Sequence, residues 1–562
     1  MVSIKIVFVI TLIEKTGVKK MKSSGKILMR AFKYSFLAIV WLLLANVSMW
    51  AKDEQKGMHC YTMNVEGNWE ITGDLPQQAI LISLQGLVNR TGPRLYLLYG
   101  SQYEYHNVAA LLDFYHKDHH VDYTMIKSIP DALVKFRKYV KGYIVYDPKI
   151  RDVIVLSFTA AGIMDGVVVA PDQIPMMKKL GFKKLADFRG KFEGMDTTQI
   201  YQWAYDHYWN KCSHKMLVYL GGREGNYLQP AVADLGIANR AFFYDLSTVP
   251  TSVTQYKLVS MLYSKMKPFS YLFGWHSYGK DYEHSYVTLA SHYALRVEGL
   301  NTLPNMSFHR FIKLPPGYKF KASHTNLKNL KLEKKIYVSF IQSDGLGIGA
   351  WLKPGRGKIP YGWEINMYWY HYAPAILQYY YSQATPNDFF IGSLSGPSYM
   401  YPKAIPPKYR PTAIKMAGRL MKDLDINMFE IFDASDSLTR DLPPSIVNDY
   451  FKYMPGSIGF VNAYGPAHTF AVKDGRAFMS FDYYLPPTRT VDEAVGDLKE
   501  LATLNPKRPY FLCFHVREYT DVQGIMNIMK HMGPEFKIVP IDEFLKLAAM
   551  DPTFKTQYQF TH

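Results

Sequence analysis

The run Ile336-Tyr337-Val338-Ser339-Phe340-Ile341-Gln342-Ser343-Asp344-Gly345 opens the most regular part of this 562-residue chain. Its first six residues are mostly apolar and β-rich and read as a strand, and the polar Ser-Asp-Gly that follows reads as its end. Six further strand-like runs lie at 389–394, 428–432, 458–461, 477–481, 510–514 and 536–539. Helical patterns at 412–424, 444–453, 491–504, 522–531 and 541–549 separate most of them. Strands alternating with helices predict an α/β fold: a C-terminal (β/α) barrel-like domain of about seven strands over 336–562. An open dinucleotide-binding sheet fits less well. Gly345-Leu346-Gly347-Ile348-Gly349 lacks the glycine spacing and the downstream acid that such a site needs.

Upstream, residues 314–335 are rich in Pro, Gly and Lys without periodicity and read as a linker. Before it, short β-rich runs alternate with helical patterns and imply small α/β domains over 52–147, 148–225 and 226–313. Residues 1–51 read as a secretory leader. Lys26, Arg30 and Lys33 precede the apolar run from Phe36 to Ala45, and the small residues Ser48 and Ala51 follow it. A secreted or periplasmic protein is expected, with no membrane span after leader removal and Met21 a better start than Met1.

The formal charge of +17 falls to +10 beyond residue 51, because 1–51 hold eight of the 65 Lys/Arg and one of the 48 Asp/Glu. These lysines are scattered among acids, apart from a run near 328–335, and form no stripe of the kind nucleic acid needs. No nucleic-acid partner is expected, whereas a mildly basic surface favours acidic glycans. The three cysteines, Cys60, Cys212 and Cys513, are too few and too widely spaced for a disulfide framework. No Cys-x-x-Cys or His-Glu-x-x-His occurs, so neither a metal nor a cofactor is expected. Aromatic content is 15%, with 44 tyrosines. Tyrosine offers a face to stack and a hydroxyl to bond, so the excess favours a saccharide ligand, with extra aromatic core as the structural alternative.

Active sites of such barrels lie where the strands end. Four predicted strand ends carry ionisable groups: Asp344; Glu430 with Asp433 and Asp436; Asp482; and His515 with Arg517 and Glu518. Asp344 before Gly345 either shapes a turn or acts in chemistry. Glu430 inside a strand must be paired or functional. His515 is either a satisfied core histidine or an acid/base group, and Arg517 and Glu518 either pair on the surface or serve the site. Glycoside hydrolysis needs two carboxyl groups, one protonated and one charged. The catalytic candidates are therefore Asp344, Glu430, Asp482, His515 and Glu518. Trp275, Trp363, Tyr399, Tyr401 and Arg517 are the candidates for binding substrate.

A second stretch, Gly396-Pro397-Ser398-Tyr399-Met400-Tyr401-Pro402, holds two tyrosines in a turn stiffened by proline at each end. With residues 83–97, Gly274-Trp275, Ser343-Asp344-Gly345 and His515-Val516-Arg517-Glu518-Tyr519, it resembles the GxGYxYP family. That family comprises secreted bacterial proteins labelled "putative glycoside hydrolase", and Ser398 stands where its motif has a second glycine. The resemblance implies small N-terminal domains, a barrel-like C-terminal domain and a glycan substrate. Residues 339–345 and 512–515 are also similar to the first and last motifs of metal-dependent polysaccharide deacetylases. This chain lacks that family's His-x-x-x-His pair and has one acid before Gly345 where the family has two. A metal-dependent deacetylase and a non-catalytic glycan-binding protein stand as alternatives to a hydrolase. Oligomeric state is not legible.

Overall fold

The structure, a computed structural model, describes residues 57–65, 75–99, 108–222, 233–299, 304–436, 440–517 and 520–556. The expected leader and Glu518 lie outside the described residues. The chain is mixed α/β, and the described residues form four sheets and the helices between their strands. No helix among the described residues is long and apolar enough to cross a membrane.

Three small sheets come first. Strands β1 (Met58–Val65), β2 (Leu95–Tyr99) and β3 (Val121–Met125) form one, in the order β2-β1-β3. Strands β4 (Gly142–Val145), β5 (Gly166–Val169) and β6 (Lys183–Asp187) form the second, in the order β5-β4-β6. The third is parallel throughout, in the order β10-β9-β7-β8: β7 (Met216–Leu220), β8 (Phe242–Tyr244), β9 (Tyr271–Trp275) and β10 (Arg296–Glu298). Here the helix Glu283–His292 crosses from β9 to β10, so Trp275 and Glu283 both lie at the C-terminal edge of the sheet.

The large sheet holds β11 (Ile336–Gln342), β12 (Tyr361–Ile365), β13 (Asp388–Gly392), β14 (Met428–Ile431), β15 (Gly459–Asn462), β16 (Ala471–Lys473), β17 (Arg476–Ser480), β18 (Tyr483–Leu485), β19 (Tyr510–Val516) and β20 (Phe536–Ile538). Its order is β16-β17-β15-β14-β13-β12-β11-β19-β18, and every pairing except β16 with β17 is parallel. β17 and β18 are nearly continuous in the chain, yet the first pairs with β15 and the second with β19. Asp482 sits at the switch. Its N–H donates to Cys513 O and its Oδ2 accepts the Cys513 N–H, each at 2.9 Å.

One strand went unread in the sequence. Tyr361-Gly362-Trp363-Glu364-Ile365 is β12, between β11 and β13, and its glycine and buried acid interrupt the apolar run that marks its neighbours. The run at 536–539, read as an equal member, is β20, which pairs with β11 off the main path.

One cluster of buried side chains gathers residues from alternate strand positions, including Ile341, Ile391, Met428, Val461, Met479 and Cys513. The helix Ile541–Met550 packs Phe544, Leu545, Leu547 and Ala548 into the same cluster, at the spacing of one helical face. Residues 314–335 contain no helix or strand but are tied down. The N–H and Oγ1 of Thr325 donate to the Asp542 carboxyl at 2.6 and 2.7 Å. Much of the aromatic excess is core: Trp351, Trp363, Trp369, Tyr219, Tyr244 and Tyr286 are fully buried. Because Asp482 is buried and bonds the backbone of its neighbour strand, Asp482→Ala is expected to lower stability by about 1–3 kcal/mol, read from urea unfolding midpoints.

Candidate active site

At the end of β11 the chain turns through two successive left-handed residues, Asp344 at φ 79° and Gly345 at φ 74°. A non-glycine residue rarely adopts this conformation, and when one does the site is a place to look for function. Gly345 is required by space as well, since a Cβ there would lie 2.5 Å from the Asn366 amide. The turn is fixed by the Gly345 N–H, which donates to Glu364 Oε2 at 2.9 Å. Asp344 Oδ2 is then met by Arg517 Nη1 at 2.8 Å and by the Tyr464 hydroxyl at 3.2 Å. Arg517 follows directly on β19, and its guanidinium lies 5.2 Å from the Tyr464 ring centre.

Asp344 and Arg517 form one wall of a cavity of about 390 Å³. Trp275, His276 and Glu283 form the other. The C-terminal edges of two parallel sheets thus meet across one space. Two larger cavities, about 530 Å³ and 620 Å³, hold a single carboxylate each, Asp425 and Asp441, so neither brings two acids together.

Glu283 is the residue that the sequence reading missed. As the first residue of a helix it looks like an ordinary complement to the helix dipole. It is half-buried by exposed surface, yet protein atoms crowd its carboxyl. This burial pushes the group up to about 7; the Tyr399 hydrogen bond opposes the rise and the charge of Asp344 adds to it. Tyr399 donates its hydroxyl to Glu283 Oε1, and that hydroxyl lies 3.1 Å from the Tyr401 hydroxyl. Trp275 stacks on Tyr399 with ring centres 6.4 Å apart.

The tyrosine motif also joins the two sheets. Tyr399 and Val297 of β10 exchange backbone hydrogen bonds, each 3.1 Å, and the Tyr401 N–H donates to Ser291 Oγ at 2.8 Å. Ser398, in place of the motif glycine, donates its hydroxyl to the buried carboxyl of Glu298. The left-handed conformation in this loop falls on Ser395, at φ 70°, so the serine at 398 costs the backbone nothing.

Beneath Asp344 lies a second layer. Glu430 is fully buried and neither carboxyl oxygen has a hydrogen-bond partner; Glu364 Oε1 also has none. Burial raises both; the charges of Glu364 and Asp344 raise Glu430 further, and that of Asp344 raises Glu364 further. His515 donates to or accepts from the Ser343 hydroxyl through Nε2, and burial holds it down at about 3, so the ring is neutral. Of the expected site residues, Asp344, Trp275, Tyr399 and Arg517 line the cavity; Tyr401, Glu430 and His515 lie behind its walls and are buried. Asp482 is engaged with Cys513, and the Trp363 indole donates to Asp388 at 2.8 Å, away from the cavity lining. Besides Glu283, sequence reasoning overlooked His276, Glu364, Arg440 and Tyr464. Glu364 was hidden by the unread strand, and the others sit in loops whose pairing is set only by the fold. No group of three His, Cys, Asp or Glu side chains among the described residues is placed to hold a metal ion.

Four family models match the chain in sequence. Residues 62–138 match the GxGYxYP_N 1st domain, 140–212 the GxGYxYP_N second domain and 214–310 the GxGYxYP third domain. Residues 334–549 match the model described as "GxGYxYP putative glycoside hydrolase C-terminal domain". Among solved structures, the chain is similar to a protein described as a "putative hydrolase" from Bacteroides thetaiotaomicron VPI-5482. The TM-score is 0.71 at 19% identity, over 88% of this chain and 96% of that one, which shows a shared fold. No curated protein matches.

Because Glu430 is held above its ordinary value of 4.5, the stability it contributes is present below that pH and lost as pH rises through the folded-state value. Glu430→Gln is therefore expected to melt like the parent protein near pH 4.5 and at a higher temperature than the parent at pH 8, in buffered thermal scans.

Proposed function

The chain belongs to the GxGYxYP family, and on that premise we propose that it is a glycoside hydrolase acting at the cavity between Glu283 and Asp344. One observation carries the reading: an acid that keeps its proton to about 7 faces the same aromatic-walled space as an ion-paired acid. Glycoside hydrolysis uses one protonated and one charged carboxyl group. Glu283 is the proton donor to the glycosidic oxygen as the C–O bond breaks. Asp344, held by Arg517 and Tyr464, supplies the negative charge that an oxocarbenium-like transition state needs. Tyr399 positions the Glu283 carboxyl, and Trp275 offers a ring face to the sugar.

We read the large sheet as a barrel of seven strands, β11 to β15, the interrupted pair β17–β18, and β19. The support is the split pairing of residues 476–485, first with β15 and then with β19. The leader pattern in residues 1–51 supports a secreted or periplasmic setting for a polysaccharide substrate.

Released reducing ends, measured over a polysaccharide panel, test the reaction. Glu283→Gln and Asp344→Asn are each expected to lower the rate by roughly 10²–10⁴-fold. Activity should fall as pH rises through about 7, where Glu283 loses its proton. Tyr399→Phe removes a bond that favours the ionised form, so it should move this alkaline limb upward. Full activity in Glu283→Gln would remove the proposed acid.

A further inference from the structure

Among the described residues, two guanidinium groups face the cavity, and one of them meets a carboxylate. Arg517 is paired with Asp344 at 2.8 Å. Arg440 has no carboxylate within ion-pair distance among the described residues. The acid beside it, Asp441, is turned away, accepting the His468 N–H at 2.6 Å and the Thr469 hydroxyl at 2.9 Å. Arg440 is nevertheless placed. Its guanidinium carbon lies 5.6 Å from the Phe432 ring centre, and its Nη1 rests where a Cβ on Gly465 would come within 2.8 Å. An aromatic face and a bare glycine backbone locate a cation without cancelling its charge.

The remaining groups do not cancel it either. Glu283 keeps its proton to about 7, and burial holds His276 down at about 4, so that ring is neutral near pH 6. With Asp344 matched by Arg517, one positive charge is left uncompensated among the described groups of the cavity. A neutral sugar would leave that charge facing water or apolar rings. A carboxylate or sulfate ester would accept two parallel N–H bonds from the guanidinium.

We propose that the saccharide unit bound in this cavity carries an anionic group, a uronate carboxylate or a sulfate ester, which Arg440 receives. This inference rests on the glycoside reading and narrows its substrate class. The scattered basic charge of the chain beyond residue 51 supports the same preference, because it draws polyanionic glycans toward the surface.

The test uses the intact protein and three oligosaccharide series of matched length: oligogalacturonides, sulfated galactans and neutral galactans. Binding is measured by calorimetry in low salt. One acidic series is expected to bind at least tenfold tighter than the neutral series, and which one it is identifies the anionic group. Arg440→Gln should abolish that preference while leaving the weaker neutral binding in place. Gly465→Ala, which shifts the guanidinium without removing it, should weaken the preference. Because Arg440 is exposed and a Cβ on Gly465 meets only the Arg440 side chain, both variants should melt as the parent does, which separates a lost contact from a lost fold. Neutral saccharides bound as tightly as acidic ones, or an acidic preference unchanged in Arg440→Gln, overturns the inference and leaves the glycoside reading standing. No binding to any of the three series counts against both.

Discussion

The site depends on one docking contact: the backbone exchange between Val297 and Tyr399, which fastens the tyrosine loop of the large sheet to the edge strand of the third sheet. Two hydrogen bonds of 3.1 Å fix the register. Ser398 to Glu298, the Tyr401 N–H to Ser291 and Tyr399 to Glu283 extend the contact along the whole turn. The prolines at 397 and 402 limit the backbone freedom of that turn before it docks, which lowers the entropy lost on docking. The consequence is chemical. Without this junction Glu283 would sit in water at the start of a surface helix, and the mouth of the large sheet would offer Asp344 alone.

Burial then assigns the acids their states. Glu283, Glu364 and Glu430 are all pushed above the ordinary carboxylate range by loss of water. Asp344 instead meets a guanidinium and a phenol. The same physical cause, desolvation, keeps the proton on Glu283 at the cavity and makes the Glu364–Glu430 layer a cost. That layer also serves the site, since Glu364 holds the Gly345 N–H and with it the strained turn that aims Asp344. Two buried acids beneath the turn are the structural expense of presenting a third.

What could be read from the chain followed from local pattern. Apolar runs with turn residues at their ends located β11, β13, β14, β15, β17 and β19, and the helix at 444–453 was placed to the residue. Ser343-Asp344-Gly345 marked a strand end, and Glu430 stood out as a carboxylate in an apolar strand. What could not be read was pairing across distance. Glu283 lies 61 residues before Asp344, on a helix that packs with another sheet, and nothing in its own neighbourhood separates it from a solvated helix start. Tyr401, which looks like a stacking platform in the linear motif, is fully buried behind Tyr399. Glu364 was missed because a glycine and an acid broke the pattern of its strand, and the acid is the group that holds the turn above.

The claim that two acids from different sheets share one site is tested most directly by the titration of Glu283 itself. Carbon-detected NMR on intact protein labelled at the glutamate side-chain carboxyls would follow the Glu283 resonance against pH, in the parent protein and in Asp344→Asn. A midpoint near 7 is expected in the parent. The midpoint should be lower in the variant, because removing the neighbouring negative charge makes ionisation of Glu283 easier. A midpoint near the ordinary 4.5, unmoved by the substitution, would mean that the two carboxyls do not face each other, and the site as described would not exist.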